Sequence, residues 1–194
     1  LKIYFIILIS ATSLILKGQT DSLNFLKIGD KAPLFEVKNQ NKETVNLASL
    51  LKQGKVVVVF YRGAWCPYCN KHMSHLQDSL KFILAKGASV ITITPEIEAS
   101  IEKTISKTKA TFNIVHDSDY VIMKQYGVAF KVNDSTVKKY KLFGIDLNES
   151  NGNKDNILPV PATYIINQNG TIDYIDFDEN YKKRLPVNQI INHL

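Results

Sequence analysis

The 194-residue chain predicts an α/β fold, with a central mixed sheet flanked by helices and a C-terminal β-hairpin and helix. Three observations predict it. Residues 55–61 (KVVVVFY) and 88–94 (ASVITIT) are β-branched runs with little polar alternation, as in strands covered on both faces of a parallel sheet. Each is followed by a segment with apolar residues at helical spacing. Two later runs, 162–166 and 171–177, flank Asn167-Gln168-Asn169-Gly170, a hairpin signal that adds an antiparallel pair.

Taken in order, a turn at 29–33 (GDKAP) leads into an edge strand at 34–37. A polar stretch follows and turns helical near Ala48. After the 55–61 strand, a long helix carries Met73, Leu76, Leu80, Ile83 and Leu84 on one face and stops at Gly87. Pro95 ends the second buried strand, and residues 96–107 form an amphipathic helix with Ile97, Ile101 and Ile105 aligned. A short strand spans 112–115. His116-Asp117-Ser118-Asp119 supplies caps for a helix to Tyr126, closed by Gly127. Residues 129–158, containing NESNGNKDN, read as irregular and polar, an insertion or a functional flap. The last helix runs from about 186 to 194.

Composition sets the class. Hydrophobic residues make up 45% and charged residues 22%, ordinary for one globular domain with a real core. The net charge of +6 is spread without a dense Lys/Arg block, so no nucleic-acid surface is expected. Residues 1–20 (LKIYFIILISATSLILKGQT) have one leading Lys, an apolar run at 3–16, then small and polar residues. That is the form of a secretory signal peptide; an uncleaved membrane anchor is the alternative. The expectation is an exported domain at 21–194, with no membrane contact once the segment is removed.

The two cysteines, Cys66 and Cys69, lie in RGAWCPYCN, where a buried strand hands over to a helix N-terminus. Unpaired N–H groups and the helix dipole favour a thiolate there. A disulfide across so small a loop restrains the unfolded chain little, so the pair reads as redox-active rather than as a staple. Cys69 is in line with Met73 and Leu76 and faces the core. Cys66 precedes Pro67, which suits the first helical position, so Cys66 is expected to be the more open sulfur and the attacking one in disulfide exchange. His72 and His75 extend the run to a zinc-like spacing, but they fan around the helix and read as solvated. No metal and no cofactor is expected. Pro161, before Ala162-Thr163, is either an edge-strand residue or a cis-proline beside the site; the residues leave both open.

GKVVVVFYRGAWCPYCN, the opening IGDKAPLFEV, the GVAF stretch and LPVPATYIINQNGTIDYIDFDENYKKRL together resemble the peroxiredoxin-like branch of the alkyl hydroperoxide reductase/thiol-specific antioxidant family. The resemblance covers nearly all of residues 26–194. It implies a thioredoxin-like fold and thiol redox chemistry. Laid on the family's Pro-x-x-x-Thr-x-x-Cys run, Cys69 takes the peroxidatic position, Cys66 the Thr position and Arg62 the leading Pro. The family's distant Arg would fall near Pro161, where this chain has none. The Trp65-Cys66-x-x-Cys69 run with Pro161-Ala162-Thr163 is also similar to thioredoxin, in which the first cysteine is the nucleophile and the proline is cis.

The resemblance therefore implies two reactions. In one, Cys69 reduces a hydroperoxide, Cys66 resolves the sulfenic acid, a thioredoxin-type reductant regenerates the pair, and Arg62 stands in for the missing Arg. In the other, Cys66 attacks a protein disulfide, Cys69 releases the product and Pro161 shapes the groove. Trp65 covers the pair in either case or fills the core. Thr163 is carried as a supporting residue. A binding module using 129–158 as its partner surface is a third expectation, and oligomeric state is left open.

Overall fold

The computed structural model describes residues 25–194; the expected signal peptide lies outside the described residues. The elements are β1 (Glu36–Lys38), β2 (Thr44–Asn46), α1 (Leu47–Leu51), β3 (Val56–Phe60), α2 (Pro67–Ala85), β4 (Ser89–Thr94), α3 (Glu98–Thr108), β5 (Asn113–His116), α4 (Val121–Gln125), β6 (Ala129–Lys131), α5 (Asp134–Leu142), α6 (Leu147–Asn151), β7 (Ile157–Pro159), β8 (Ala162–Ile166), β9 (Ile172–Phe177) and α7 (Val187–Asn192).

Five strands form the central sheet in the order β5-β4-β3-β8-β9. β3 pairs parallel with β4 and antiparallel with β8, and β8–β9 is the expected hairpin. The unbroken apolar run of β3 has its physical reason here. Val56, Val58 and Phe60 enter one core with Tyr126 and Tyr164, while Val57, Val59 and Tyr61 enter a second core with Met73, Leu76 and Ile83 of α2 and Ile190 of α7. Each fully buried side chain of this kind contributes about 1.5–3 kcal/mol. The site loop is thus anchored at the end of the central strand.

Some expectations need correction. The first strand is shifted to Glu36–Lys38 and forms a separate hairpin with β2. Glu96 is not helical; it is fully buried just ahead of α3, and Ile97 is that helix's N-cap. Leu84 is exposed, because Ile83 takes the core position.

The largest correction concerns residues 129–158. They are not irregular. β6 and β7 pair antiparallel and close the excursion at its base, with α5 and α6 between them. Val132, Leu147 and Leu158 make a small core, against which Trp65, Val137, Tyr140 and Ile145 pack. Side-chain caps start both helices: Asn133 accepts from the Thr136 N–H at 2.8 Å, and Asp146 accepts from the Asn148 N–H at 2.9 Å. The polar composition misled because α5 buries no residue fully.

Candidate active site

After β3 the chain turns through Gly63 and Ala64 into α2. Cys66 is the N-cap of that helix in an extended conformation, with Pro67 at the first helical position as expected. The turn is held from three sides. The Ala64 N–H donates to Glu96 Oε2 at 2.8 Å, and its carbonyl accepts from Asn70 Nδ2 at 2.8 Å and Lys107 Nζ at 2.9 Å. Gly63 has φ +148°, and a Cβ there would collide with the Glu96 carboxyl and with Trp65 Nε1.

Both cysteines are free thiols and both are buried, at 1% exposure each. This corrects the expectation that Cys66 is the open one. Capping a helix does not expose a side chain when Trp65, Tyr140 and Tyr181 close over the same cavity. Cys69 faces the α2-side core, as its register with Met73 and Leu76 requires.

The arginine expected near Pro161 arrives from elsewhere. Arg184 Nη2 donates to Cys69 Sγ at 3.1 Å. Arg184 sits in the segment 178–186 between β9 and α7, where it also donates to the Tyr181 carbonyl. Leu185 anchors the far end of that segment in the core, and an Asp178–Lys183 ion pair braces its near end.

The electrostatics separate the two sulfurs. Burial alone would push the Cys69 thiol up. The hydrogen bond from Cys66, the Arg184 charge, the Arg62 backbone N–H and the Arg184 hydrogen bond outweigh it and bring Cys69 down to about 6. Cys66 is pushed up, by its hydrogen bond to Cys69, by burial and by the neighbouring thiolate charge. One proton is therefore shared unequally, with Cys69 the thiolate and Cys66 the thiol that donates to it.

Arg62 is neither solvated nor ion-paired. It is 3% exposed, and its guanidinium lies over the rings of Tyr181 (4.4 Å), Trp65 (4.8 Å) and Tyr140 (5.6 Å) while donating to the Tyr140 hydroxyl. It does not replace the missing Arg, since the guanidinium that touches the thiolate is Arg184. Trp65 is half-buried, tilted against Tyr140 with ring centroids 5.5 Å apart, and packs against two cores at once. Pro161 lines a cavity of about 620 Å³ with Arg62, Tyr140 and Tyr181. No peptide bond among the described residues is cis, so the Val160–Pro161 bond is trans and the thioredoxin-like cis-proline is not found. Thr163 is buried in β8 opposite Val59, and no hydrogen bond joins it to either sulfur.

Two histidine expectations divide. His75 is exposed, but His72 is buried. Burial and the Arg184 charge hold its imidazole down at about 4, despite a hydrogen bond to the Leu185 backbone. His72 thus packs neutral beside the arginine-bearing segment. Glu96 is the other group sequence reasoning missed. Burial pushes its carboxyl up to about 8, with the Cys69 charge adding to the rise. A Glu at the C-terminal end of a parallel strand, where α/β sites gather, was the available signal. Arg184 had none, because it closes the run Lys182-Lys183-Arg184, which reads as a solvated basic stretch.

Comparison with known proteins places the fold and the family. The chain is 31% identical over 106 residues to the peroxiredoxin Bcp of Escherichia coli strain K12, covering 55% of this chain and 67% of that one. It is 24% identical over 179 residues to the thiol-disulfide oxidoreductase ResA of Oceanobacillus iheyensis, covering 90% and 77%. Among solved structures, the peroxidoxin BcpB of Mycobacterium tuberculosis superposes with a TM-score of 0.68 at 19% identity, over 87% of this chain and 96% of that one, which shows the shared thioredoxin fold. The AhpC/TSA family model matches residues 28–175, from the turn before β1 into β9, and the chain belongs to the AhpC/TSA family.

Proposed function

We propose that this chain is a thiol peroxidase in which Cys69 attacks and Cys66 resolves. The Cys69 thiolate attacks the terminal oxygen of a hydroperoxide. The O–O bond breaks, the leaving alkoxide takes a proton to become an alcohol, and Cys69 becomes a sulfenic acid. The Cys66 sulfur then displaces hydroxide, which leaves as water with the Cys66 proton, and a disulfide remains. A thioredoxin-type dithiol supplies the two electrons that restore both thiols.

The observation that carries this reading is the Arg184–Cys69 contact at 3.1 Å. It puts a fixed positive charge where negative charge develops on oxygen beside sulfur, without rearrangement during the reaction. The disulfide-exchange reading needs Cys66 as the nucleophile, and Cys66 is the sulfur held in the protonated state. The form of residues 1–20 supports an exported enzyme, which fractionation of cells carrying a C-terminally tagged chain would test.

The test follows thiol loss on mixing the reduced protein with hydrogen peroxide and with an organic hydroperoxide. Oxidation is expected to run orders of magnitude faster than for a free small thiol, to survive Cys66→Ser and to vanish in Cys69→Ser. Oxidation no faster than for the small thiol would replace this reading with disulfide exchange led by Cys66, and fast oxidation that needs Cys66 but spares Cys69→Ser would exchange the roles of the two sulfurs.

A further inference from the structure

We propose that the C-terminal end of α5 is the docking surface for the protein that reduces the Cys66–Cys69 disulfide, a dithiol protein whose thiols are bordered by apolar and acidic groups. The inference rests on the peroxidase reading above.

Cys66 lines a cavity of about 400 Å³, together with Tyr68, Thr136, Lys139, Tyr140 and Phe143; Cys69 does not line it. Both sulfurs are buried, but only Cys66 borders this cavity, so an incoming thiolate that parts the rings over it is directed to Cys66. Attack there forms an S–S bond between partner and Cys66 and breaks the Cys66–Cys69 bond. Cys69 leaves as the thiolate that Arg184 stabilises, and a low-pKa thiol is the better leaving group. The partner's second thiolate then attacks its own sulfur in the mixed disulfide. Cys66 departs and takes up a proton, and the partner carries away the disulfide.

The rim of the cavity fits a protein rather than a small reductant. Leu142 is 86% exposed and Phe143 71%, the most exposed large apolar side chains among the described residues, and Phe143 lines the cavity together with the paired rings of Tyr68 and Tyr181. Such a patch beside a reactive centre marks an interaction site. Its margin is basic. Lys138 and Lys139 are exposed and have no ion pair among the described residues, and on the facing segment Lys182 adds a further charge beside the Lys183–Asp178 pair. An acidic border on the partner would complement it and speed encounter at low salt.

The experiment oxidises the protein with one equivalent of peroxide and then measures reduction by a purified thioredoxin recycled by its reductase and NADPH, and separately by dithiothreitol. Leu142→Ser with Phe143→Asp is expected to slow thioredoxin-driven reduction at least tenfold, while dithiothreitol reduction and the preceding peroxide oxidation stay unchanged. Lys138→Glu with Lys139→Glu is expected to remove most of the salt dependence of the thioredoxin reaction. A thioredoxin lacking its second cysteine should be trapped on Cys66, as read by mass spectrometry. Equal loss with both reductants, no loss with either, trapping on Cys69, or a change of oligomeric state in the Phe143 variant would each overturn the proposal. Failure of peroxide oxidation in the unmodified protein would instead defeat the peroxidase reading.

Discussion

Replacing Arg184 by Met is expected to slow oxidation of Cys69 by hydroperoxide by about 10²–10³-fold, the loss seen when one preorganised donor to a developing anion is removed. Two effects of the guanidinium have to be separated. With Cys69 at about 6, nearly all of it is thiolate at neutral pH, against about 3% for an unperturbed thiol near 8.5. That gain of roughly thirtyfold is offset by about tenfold, because a less basic thiolate is a weaker nucleophile, with a Brønsted coefficient of about 0.4–0.5. Ionisation alone therefore leaves a net gain of only about threefold. A loss of two orders of magnitude reports direct stabilisation of the transition state by the guanidinium. The pH profile checks the other half. The unmodified protein should reach its plateau rate just above pH 6, and Arg184→Met should keep rising toward the ordinary thiol range. Arg184→Lys should recover the pH profile better than the rate, since it keeps charge but loses the planar fork. A rate for Arg184→Met within threefold of the unmodified protein would remove Arg184 from the chemistry.

Glu96→Gln is expected to stabilise the protein, by an amount that grows with pH. In the folded protein the carboxyl holds its proton to about 8, whereas in the unfolded chain it releases it near 4.5. Between those values the unfolded state binds fewer protons, so stability falls as pH rises, by up to about 1.4 kcal/mol per pH unit. The cost reaches about 3 kcal/mol at neutral pH and levels off above about 8. Gln keeps an oxygen for the Ala64 N–H and has nothing to ionise. Cys69 slopes the other way. Its folded value lies near 6 and its unfolded value near 9, so its contribution is complete above about 9 and is lost as pH falls toward 6. The substitution should unmask that slope, turning a flat stability profile between pH 6 and 8 into a rising one. Urea melts of both proteins from pH 4 to 9 would show it, and a stability difference independent of pH would mean that Glu96 is ionised throughout.

The framework was legible in the sequence because periodicity carried it. The uniform apolar run of β3, the helical stripe of α2 and the Asn-Gly turn between β8 and β9 each have few alternatives once burial is demanded. The site was half legible. The strand-to-helix handover announced the cysteine pair, but exposure, protonation and partner depended on what folds over it. Tyr140 and Tyr181 are more than forty residues apart in sequence, yet both cover Arg62. His72 faces Leu185, and Cys69 meets Arg184 across 115 positions. Contacts of that range leave no local pattern. The 129–158 region failed for the opposite reason, since its caps at Asn133 and Asp146 were local and visible but its sparse apolar residues masked them.

The thiolate and its guanidinium are held by parts of the molecule with unequal tenure. Cys69 is rooted in α2 against the central strand, whereas Arg184 rides on a stretch without strand or helix hydrogen bonds, fastened by Leu185 and its hydrogen bond with His72, by Arg62 and Tyr68 on Tyr181, and by one surface ion pair. Segments of that kind open at lower cost than the sheet beneath them. Catalytic competence is then a local equilibrium of its own: every molecule with the segment lifted keeps its fold and loses its charge partner. Peroxide reactivity should accordingly fade at urea concentrations that leave the circular dichroism of the sheet untouched, and an added crosslink from residue 182 to α2 should move that fading toward the global transition.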